Sequence, residues 1–586
     1  MSDRRALLDV ALGRRPPDLA IVGATVADVY SGEWLPWNVE VAGGRIAYAG
    51  PRSPRTGPDT ERIAADGKVL APGYIEPHFH PWEIYNPASV REVTLPAGTT
   101  TVVADDPGMG LPGGPAAFAR LVEALRELPG HQYWAPRVPR ETALGDHVSP
   151  ADLDILRDQL SWPDVLAVGE MERWAPVAAG APHMVASFEA ARAAGKRVDG
   201  HTAGASFARL VALAGLGISA DHEAIDADEA VDRLRLGMWT LLRGSSLRRD
   251  LPELARVITE RRVDSRRLLM TTDGAGPAYM ARNGVTDGLL ATVVEHGVDP
   301  MTALQMVTVN PAMFLGIDEE LGGIAPGRRA TMVLLEDRDR FTPEQVLVDG
   351  EIVARHGELV APIPAVDWDA LGCRTTFADP AVFGDPRLYT ATGSGDVRTV
   401  PVLRFESTAI ARRDDRSLPV RDGVVQLTDA PDCAYAALVD REARWVSHAI
   451  VASLFTSLDG VATTYNTTGH VLVVGRDPAS MAAAGSEAAR LGGGIAVAAG
   501  GEVEWSAPLT IAGLSIDAPY AAAVAVDREL GTRARAGGYR FHDALYSLLF
   551  LSCDFLPDLR LTPQGILEVK SGAIVEPPVP GPLADR

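Results

Sequence analysis

The stretch Pro72-Gly73-Tyr74-Ile75-Glu76-Pro77-His78-Phe79-His80 decides how the rest of the chain is interpreted. Apolar residues lead into a His-x-His pair, and in an extended strand the side chains at i and i+2 point to the same face. The imidazoles of His78 and His80 can therefore bind one metal ion. Taken alone, such a pair is structural about as often as it is functional, so the interpretation depends on residues further along the chain.

Length and composition exclude several classes of protein. A chain of 586 residues predicts about three or four domains, each with its own core. The net charge of −22 argues against a nucleic-acid or anionic-membrane partner, because the field of the protein would repel phosphates. The N-terminus lacks the apolar core of a signal peptide and no apolar run is long enough to cross a membrane, so the sequence predicts a cytoplasmic protein.

Strand and turn patterns predict three domains. Residues 1–70 and 321–362 carry short β-branched runs between glycine-rich turns, which indicate one small β-sandwich built from both segments. Residues 71–320 alternate strand-like and helical stretches over a length that suits a (β/α)₈ barrel, and residues 363–586 have mixed α/β character. The predicted fold class is α/β: a metal-dependent (β/α)₈ TIM barrel flanked by a β-sandwich and followed by a C-terminal α/β domain.

Polar residues follow the predicted barrel strands, at the end of the barrel where catalytic groups lie. The strand candidates at 165–169, 197–200, 217–220 and 267–272 lead into or end close to Glu170, His201, His222 and Asp273. With His78 and His80 these make a set that can hold two divalent cations. A metal-bound water would then ionise and attack a trigonal carbon, while a ligand carboxylate passes its proton to the leaving nitrogen.

Each of these residues also has a structural interpretation. A carboxylate such as Glu170 or Asp273 can cap the helix that follows its strand. His201 and His222, which follow apolar runs, can be core histidines with satisfied hydrogen bonds. Six suitable residues in barrel order favour the metal site.

The chain resembles the amidohydrolase superfamily and, within it, the bacterial adenine deaminase family, over nearly its whole length. The segments that carry the resemblance are residues 72–80, 96–102, 169–171, 220–223, 234–238, 272–273 and 310–312. The region from about 363 to 575 resembles the extra domain of that family, notably at residues 469–475, 491–497 and 509–514.

The resemblance implies a centre of two divalent cations (Mn²⁺, Fe²⁺ or Zn²⁺) in a homo-oligomer, a dimer or tetramer. It implies six metal ligands, of which Glu170 bridges the ions and Asp273 also shuttles the proton: His78, His80, Glu170, His201, His222 and Asp273. Asp273, Glu170 and His222 are the predicted catalytic residues.

Several segments depart from the family pattern. The family usually places a carboxylate two residues after the His-x-His pair, whereas here Pro81-Trp82 precede Glu83. Residues 106–109 replace Asp-Pro-His-Glu, Gly274-Ala275-Gly276 replace Asp-Arg-His, and residues 465–470 replace a His-Asp-Ser-His-Asn segment. Glycine in place of charged residues predicts a larger and less charged site.

The predicted function is hydrolytic deamination of adenine to hypoxanthine and ammonia, a hydrolysis of a C–N bond other than a peptide bond. Because the polar groups around the site have changed, the same chemistry on another aminated heterocycle, or on a cyclic amide or amidine, stays open. A non-catalytic paralogue that binds a ligand also stays open. Trp82, Glu83 and Glu223 are the predicted contacts to the small heterocyclic substrate.

Overall fold

The first sheet begins at the N-terminus of the structure, which is a computed structural model that describes residues 4–105, 111–138 and 150–584. A helix, α1 (Arg4–Ala11), precedes five strands: β1 (Leu19–Asp28), β2 (Glu33–Ala42), β3 (Arg45–Gly50), β4 (Glu61–Ala64) and β5 (Val69–Pro72). Strand β1 is antiparallel to β2 and parallel to both β4 and β5. Ile21 in β1 and Val39 in β2 face each other across the two strands, and both are fully buried in the core of this sheet.

Eight parallel strands then form the barrel: β6 (Tyr74–Phe79), β7 (Thr99–Asp105), β8 (His131–Ala135), β9 (Ala167–Met171), β10 (Arg197–Gly200), β11 (Ala220–Asp221), β12 (Trp239–Arg243) and β13 (Leu268–Thr271). Parallel ladders join β6 to β8 and β9 to β13 in chain order. A parallel bridge between Trp134 and Val165 connects the two groups. The ring closes where Thr271 Oγ1 in β13 donates a 2.7 Å hydrogen bond to the carbonyl oxygen of His78 in β6. The predicted (β/α)₈ barrel is confirmed.

The helices of this region surround the strands: α2 (Arg91–Thr94), α3 (Gly114–Arg126), α4 (Pro150–Leu160), α5 (Trp174–Ala178), α6 (Pro182–Ala193), α7 (Phe207–Leu216), α8 (Ala227–Arg235), α9 (Leu251–Leu254), α10 (Arg256–Thr259), α11 (Pro277–Asn283), α12 (Thr286–Glu295), α13 (Pro300–Met306) and α14 (Val309–Leu315). Helix α8 shows why they form where they do. Asp226 caps it by accepting a hydrogen bond from the Glu229 amide, and Ala227, Ala230 and Val231 face inward at helical spacing.

The strand predicted at residues 217–220 begins too early. Gly217 adopts a left-handed conformation, with φ of +118°, and ends α7, so that the strand contains only Ala220 and Asp221. Glycine supplies this conformation without a steric cost, which makes it a helix terminator rather than a strand residue.

The chain then returns to the first sheet with β14 (Met332–Leu335), β15 (Gln345–Val348), β16 (Glu351–Arg355) and β17 (Glu358–Leu359). Strand β14 pairs antiparallel with β5, which joins all nine strands into one sheet. Met332 and Leu347 are buried in the same core cluster as Ile21 and Val39. The two distant segments therefore share one core, next to the barrel.

The C-terminal region contains a ten-stranded sheet, a three-stranded sheet, four α-helices and one 3-10 helix, Pro386–Tyr389. Its elements are α15 (Pro380–Phe383), β18 (Val397–Phe405), β19 (Ala411–Arg421), β20 (Val424–Val425), β21 (Cys433–Val439), β22 (Trp445–Ala452), β23 (Gly460–Thr463), β24 (Val471–Gly475), α16 (Pro478–Arg490), β25 (Gly494–Ala499), β26 (Glu502–Pro508), α17 (Tyr520–Ala536), α18 (Ala544–Leu551), β27 (Leu559–Thr562), β28 (Gly565–Glu568), β29 (Ala573–Glu576) and β30 (Val579–Pro580). Over the described ranges, no helix has the length and apolarity needed to span a membrane.

Candidate metal centre

The His-x-His pair lies where β6 ends at the mouth of the barrel. The rings of His78 and His80 meet edge to face with centroids 4.9 Å apart, while Phe79 between them is buried in the opposite direction. His78 is buried, and Asp199 at the end of β10 lies 2.7 Å from its Nδ1 atom. A carboxylate on one ring nitrogen directs the other nitrogen into the site, as is usual for histidines that bind metals.

Glu170 lies between the histidines contributed by different strands. Its Oε2 atom is 3.2 Å from His80 Nε2, and its Oε1 atom is 3.1 Å from His222 Nε2. The same Oε1 atom is hydrogen-bonded to His201 Nδ1. One carboxylate therefore faces both halves of the candidate centre, which is the arrangement that a bridging ligand requires.

The two oxygens of Asp273 face different partners. The Oδ1 atom is 3.0 Å from His78 Nε2 and 3.3 Å from His80 Nε2. The Oδ2 atom accepts a 2.6 Å hydrogen bond from Arg243, whose guanidinium also lies 2.7 Å from Glu223 Oε1. Arg243 thus holds the carboxylate by the oxygen that faces away from His78 and His80.

These donors fit divalent cations. Three groups have ligand atoms within 4.8 Å of one another: His78, His222 and Asp273; His78, His80 and Glu170; and Glu170, His201 and His222. Two buried nitrogens, His201 Nε2 and His222 Nδ1, have no hydrogen-bond partner among the described residues. Imidazole and carboxylate ligands together suit Zn²⁺, Fe²⁺ and Mn²⁺.

Opposite charges inside this buried cluster shift the pKa of its members. Burial alone lowers the pKa of His80, but hydrogen bonds to Asp273 and Glu170 outweigh burial and raise that pKa to about 10. Burial also lowers the pKa of His201, but the charges of Glu223 and Glu170 outweigh burial and raise that pKa to about 9. In the absence of cations these imidazoles hold protons, so metal ions and protons compete for the same nitrogens.

A buried hydrogen-bond network fixes the strand ends behind His201 and His222. Asp221 Oδ2 accepts hydrogen bonds from the Thr202 amide at 2.7 Å and hydroxyl at 2.6 Å, while Oδ1 accepts from the Glu223 amide at 3.0 Å and from Arg233 Nε. Asp221 and Arg233 are almost fully buried. The backbone after His201 and on both sides of His222 is therefore attached to a single ion pair.

Two glutamates near the ligands have opposite protonation tendencies. Burial would raise the pKa of Glu223, but the charges of Arg243, His201 and Arg248 lower it to about 2. Burial raises the pKa of Glu83 to about 8, although Tyr465 donates a hydrogen bond to its Oε2 atom. At neutral pH, of these two glutamates Glu223 is therefore ionised and Glu83 is neutral.

A cavity of about 570 Å³ opens beside these groups. Its barrel side includes His80, Glu170, His201, Glu223, Arg243 and Asp273. The C-terminal region forms much of the opposite side with Tyr465, Tyr546, Leu549, Phe550, Phe555 and Leu556. The apolar run at residues 544–551 is helix α18, most of whose side chains are buried and which also lines this cavity.

The structure brings all six predicted ligands together. Four of them line the cavity, as do Trp82, Glu83 and Glu223, whereas His78 and His222 are buried and are not part of its wall. Trp82 is buried and donates a 3.3 Å hydrogen bond to the Asp105 carbonyl oxygen. The departure at residues 106–109 lies outside the described residues. Sequence reasoning missed Arg243, although its place at the end of β12 is the signal that revealed the other site residues.

The expectation that Gly274-Ala275-Gly276 enlarge the site is wrong. These residues are buried and are not part of the cavity wall. A Cβ atom on Gly274 would lie 2.7 Å from the carbonyl oxygen of His80, and the residue has φ of +67°. The glycine is required because this backbone packs directly against the His-x-His segment.

Comparison with known families identifies the class to which the barrel and its ligands belong. The amidohydrolase family model matches residues 69–353, and the adenine deaminase C-terminal domain model matches residues 408–573. The chain therefore combines an amidohydrolase barrel with a second domain whose family model is that of adenine deaminases.

Relatives extend the match to nearly the full length. The chain is 32% identical to adenine deaminase from Moorella thermoacetica, over 98% of this chain and 97% of that protein. It is 32% identical to adenine deaminase 3 from Rhizobium meliloti, over 96% of each chain. This chain belongs to the adenine deaminase family.

Proposed function

We propose that this chain hydrolyses adenine to hypoxanthine and ammonia with two divalent cations held at the barrel mouth. The observation that carries the proposal is the convergence of four histidines and two carboxylates at the barrel mouth, where four of the six also line the cavity. The relatives named above as adenine deaminases, which match nearly end to end, support the choice of substrate. The six ligands are proposed as His78, His80, Glu170, His201, His222 and Asp273.

The proposed reaction joins a water oxygen to the amino-bearing ring carbon and breaks the bond from that carbon to the exocyclic nitrogen. When bound, the cations supply Lewis acidity and lower the pKa of a water ligand. Asp273 Oδ1 lies on the same side as His78 and His80, so the carboxylate can accept the proton of the attacking water. It then delivers this proton to the departing nitrogen, which leaves as ammonia.

Arg243 keeps the Asp273 carboxyl group ionised, as this proton transfer requires. Burial would raise the pKa of the Asp273 carboxyl group, but the charge of Arg243 and hydrogen bonds to His78 and His80 hold it well below its usual value. The carboxylate is therefore ionised at the start of the reaction. Its Oδ2 atom is occupied by Arg243, which leaves Oδ1 to exchange the proton.

Trp82, Glu83 and Glu223 are proposed to contact the heterocycle. Glu83 is buried and neutral at neutral pH because its pKa is about 8, so it can donate a hydrogen bond to a ring nitrogen. Glu223 is ionised and can accept one from a ring N–H group. The indole of Trp82 presents a flat apolar surface, held by the hydrogen bond to Asp105.

Ammonia release from adenine tests the proposal. The protein is freed of metal, reloaded with Mn²⁺, Fe²⁺ or Zn²⁺, analysed for metal content, and compared with Asp273→Asn prepared in the same way. We expect about two ions per chain and turnover that is lost in the variant. Two ions without turnover of adenine would refute the substrate, and the absence of bound metal would refute the metal-dependent reaction and favour the non-catalytic paralogue.

A second substrate class is favoured by the cavity itself. Its volume of about 570 Å³ falls in the range of pockets that hold drug-sized ligands, which is more than a bare purine requires. Another aminated heterocycle, cyclic amide or cyclic amidine would use the same ligands. A panel of such compounds, assayed for ammonia release or ring opening beside adenine, separates the two substrates by kcat/KM.

A homo-oligomer in the cytoplasm is also proposed. Helix α7 exposes Phe207, Val211 and Leu216, with exposed fractions of 48%, 47% and 38%. Phe207 and Val211 are one turn apart and lie on the same face of the helix, and exposed apolar side chains grouped in this way are typical of protein contacts. Sedimentation of the wild type beside Val211→Glu tests whether this face joins subunits: an unchanged mass for the variant, or a monomeric wild type, contradicts the proposal.

A further inference from the structure

The segment that follows Asp273 has no regular secondary structure until α11 begins, and side chains satisfy its backbone. The carbonyl oxygen of Gly274 accepts a 2.6 Å hydrogen bond from Tyr546, and that of Ala275 accepts a 3.1 Å bond from Tyr85. The Gly276 amide donates to Ser246 Oγ at 3.0 Å. Each residue of this turn is therefore fixed by a side chain from another part of the molecule.

The C-terminal region continues this pattern at the start of α11. Tyr520 in α17 donates a 2.9 Å hydrogen bond to the Pro277 carbonyl oxygen, and Asp527 in the same helix accepts a 2.9 Å bond from the Ala278 amide. Three of the five contacts to residues 274–278 thus come from α17 and α18. The phenol rings of Tyr520 and Tyr546 are buried, so their hydroxyl groups have little water to bond instead.

The conformation that these contacts hold is unusual. Asp273 has a φ of +57°, in the left-handed region that non-glycine residues rarely occupy. The residue after it, Gly274, has a positive φ and packs against the backbone of His80. A residue in such a conformation persists when its surroundings determine it, and here the surroundings include a separate domain.

We infer that the C-terminal domain positions Asp273: the hydroxyl groups of Tyr546 and Tyr520 and the carboxylate of Asp527 hold residues 274–278 so that the Asp273 carboxylate faces the ligand histidines. These three are positioning residues, and the assignment rests on the proposed role of Asp273 as the proton carrier. The domain thereby acts on the reacting group itself as well as forming one side of the cavity.

Two single-atom deletions and a matched control test the inference. Tyr520→Phe removes one hydroxyl outside the cavity wall, and Tyr546→Phe removes one at its edge. Tyr435→Phe is the control, because Tyr435 in β21 donates a 2.8 Å hydrogen bond to the Val425 carbonyl oxygen in the same domain, far along the chain from this segment. Each of the three changes removes one hydroxyl donor from a buried carbonyl group.

The readouts are hydrogen exchange of peptides covering residues 270–280 and the steady-state constants for adenine. In Tyr520→Phe and Tyr546→Phe we expect exchange at residues 276 and 278 to quicken about tenfold, the effect of losing one buried hydrogen bond. We expect kcat to fall by about the same factor while KM for Tyr520→Phe stays within about twofold. Tyr435→Phe should match the wild type in both readouts.

Unchanged exchange at residues 276 and 278 in both variants would overturn the inference, and so would a fall in kcat of the same size in Tyr435→Phe. If the wild type does not deaminate adenine, the proposed function fails, and hydrogen exchange still decides whether the C-terminal domain holds this segment. Hydrogen exchange at residues 276 and 278 should be faster in the double variant Tyr520→Phe/Tyr546→Phe than in either single variant, because both hydroxyl groups bind the same turn.

Discussion

Replacing Arg243 by methionine tests the electrostatic arrangement of the site. The guanidinium is buried and lies 2.6 Å from Asp273 Oδ2 and 2.7 Å from Glu223 Oε1. Methionine fills a similar volume without a charge, so the substitution leaves two buried carboxylates that repel each other. Arg248 lies 2.6 Å from Glu223 Oε2, so in the variant it still balances the charge of Glu223 but not that of Asp273.

The expected magnitude follows from these contacts. Removing one partner of a buried ion pair costs about 3–5 kcal/mol of stability, because the remaining charge stays desolvated. For a domain the size of the barrel this corresponds to a fall in Tm of about 6–20 °C. Asp273 also loses the contact that fixes its orientation, and a displacement of about 1 Å in a reacting group lowers kcat by about 100-fold.

Thermal unfolding and steady-state kinetics of Arg243→Met measure both effects. The fall in Tm should be larger for metal-free protein, because bound divalent cations offset the same carboxylates. Arg256→Met is the control, since Arg256 makes ion pairs with Glu253 and Glu260 on the exposed face of α10 and its loss should have little effect. If Arg243→Met unfolds like the wild type and retains its kcat, the assignment of Arg243 as the fixed counter-charge is refuted.

Three further predictions concern stability. Burial and the neighbouring charge of Asp543 raise the pKa of Asp527 to about 7, so the folded state keeps a proton that the unfolded state already loses at lower pH. The free energy of unfolding should therefore decline as pH rises from about 4 to 7. Chemical unfolding at each pH should show that Asp527→Asn removes up to about 4 kcal/mol of this decline. Chelation of the reloaded protein should lower Tm, and excess Mn²⁺ should restore it, because cations that bind only the folded state stabilise it; an unchanged Tm in calorimetry would contradict a structural contribution of the metal. Leu241→Ala should cost about 2–5 kcal/mol in urea unfolding, because the side chain is fully buried inside the barrel, whereas a loss below about 1 kcal/mol would contradict that placement.

The barrel was predictable because its strands are short apolar runs with polar residues at their ends. The same pattern identified Glu170, His201, His222 and Asp273, since parallel strands place their carboxyl ends at one mouth. Strand β11 was predicted too long because a left-handed glycine, Gly217, follows helix α7, and this conformation is set by backbone geometry that residue types alone do not reveal.

The contacts between domains were beyond sequence reasoning. The partnership of Glu83 with Tyr465 joins residues 382 positions apart, and that of Gly274 with Tyr546 joins residues 272 positions apart. No local pattern encodes such pairs. The sequence alone suggests that Gly274 matters because it carries no charge. The structure shows that it matters because its small size permits the close approach to the backbone of His80.

The pairing of β5 with β14 has a consequence for synthesis on the ribosome. Val69 in β5 cannot pair with Leu335 in β14 until Leu335 has been synthesised. Translation at about 5–20 residues per second takes tens of seconds to cover the intervening chain. During this interval one edge of the nascent sheet is open. Helices α17 and α18 emerge later still, so the cavity is completed only when almost the entire polypeptide has been made, and a truncated product that contains the whole barrel still lacks one side of its cavity.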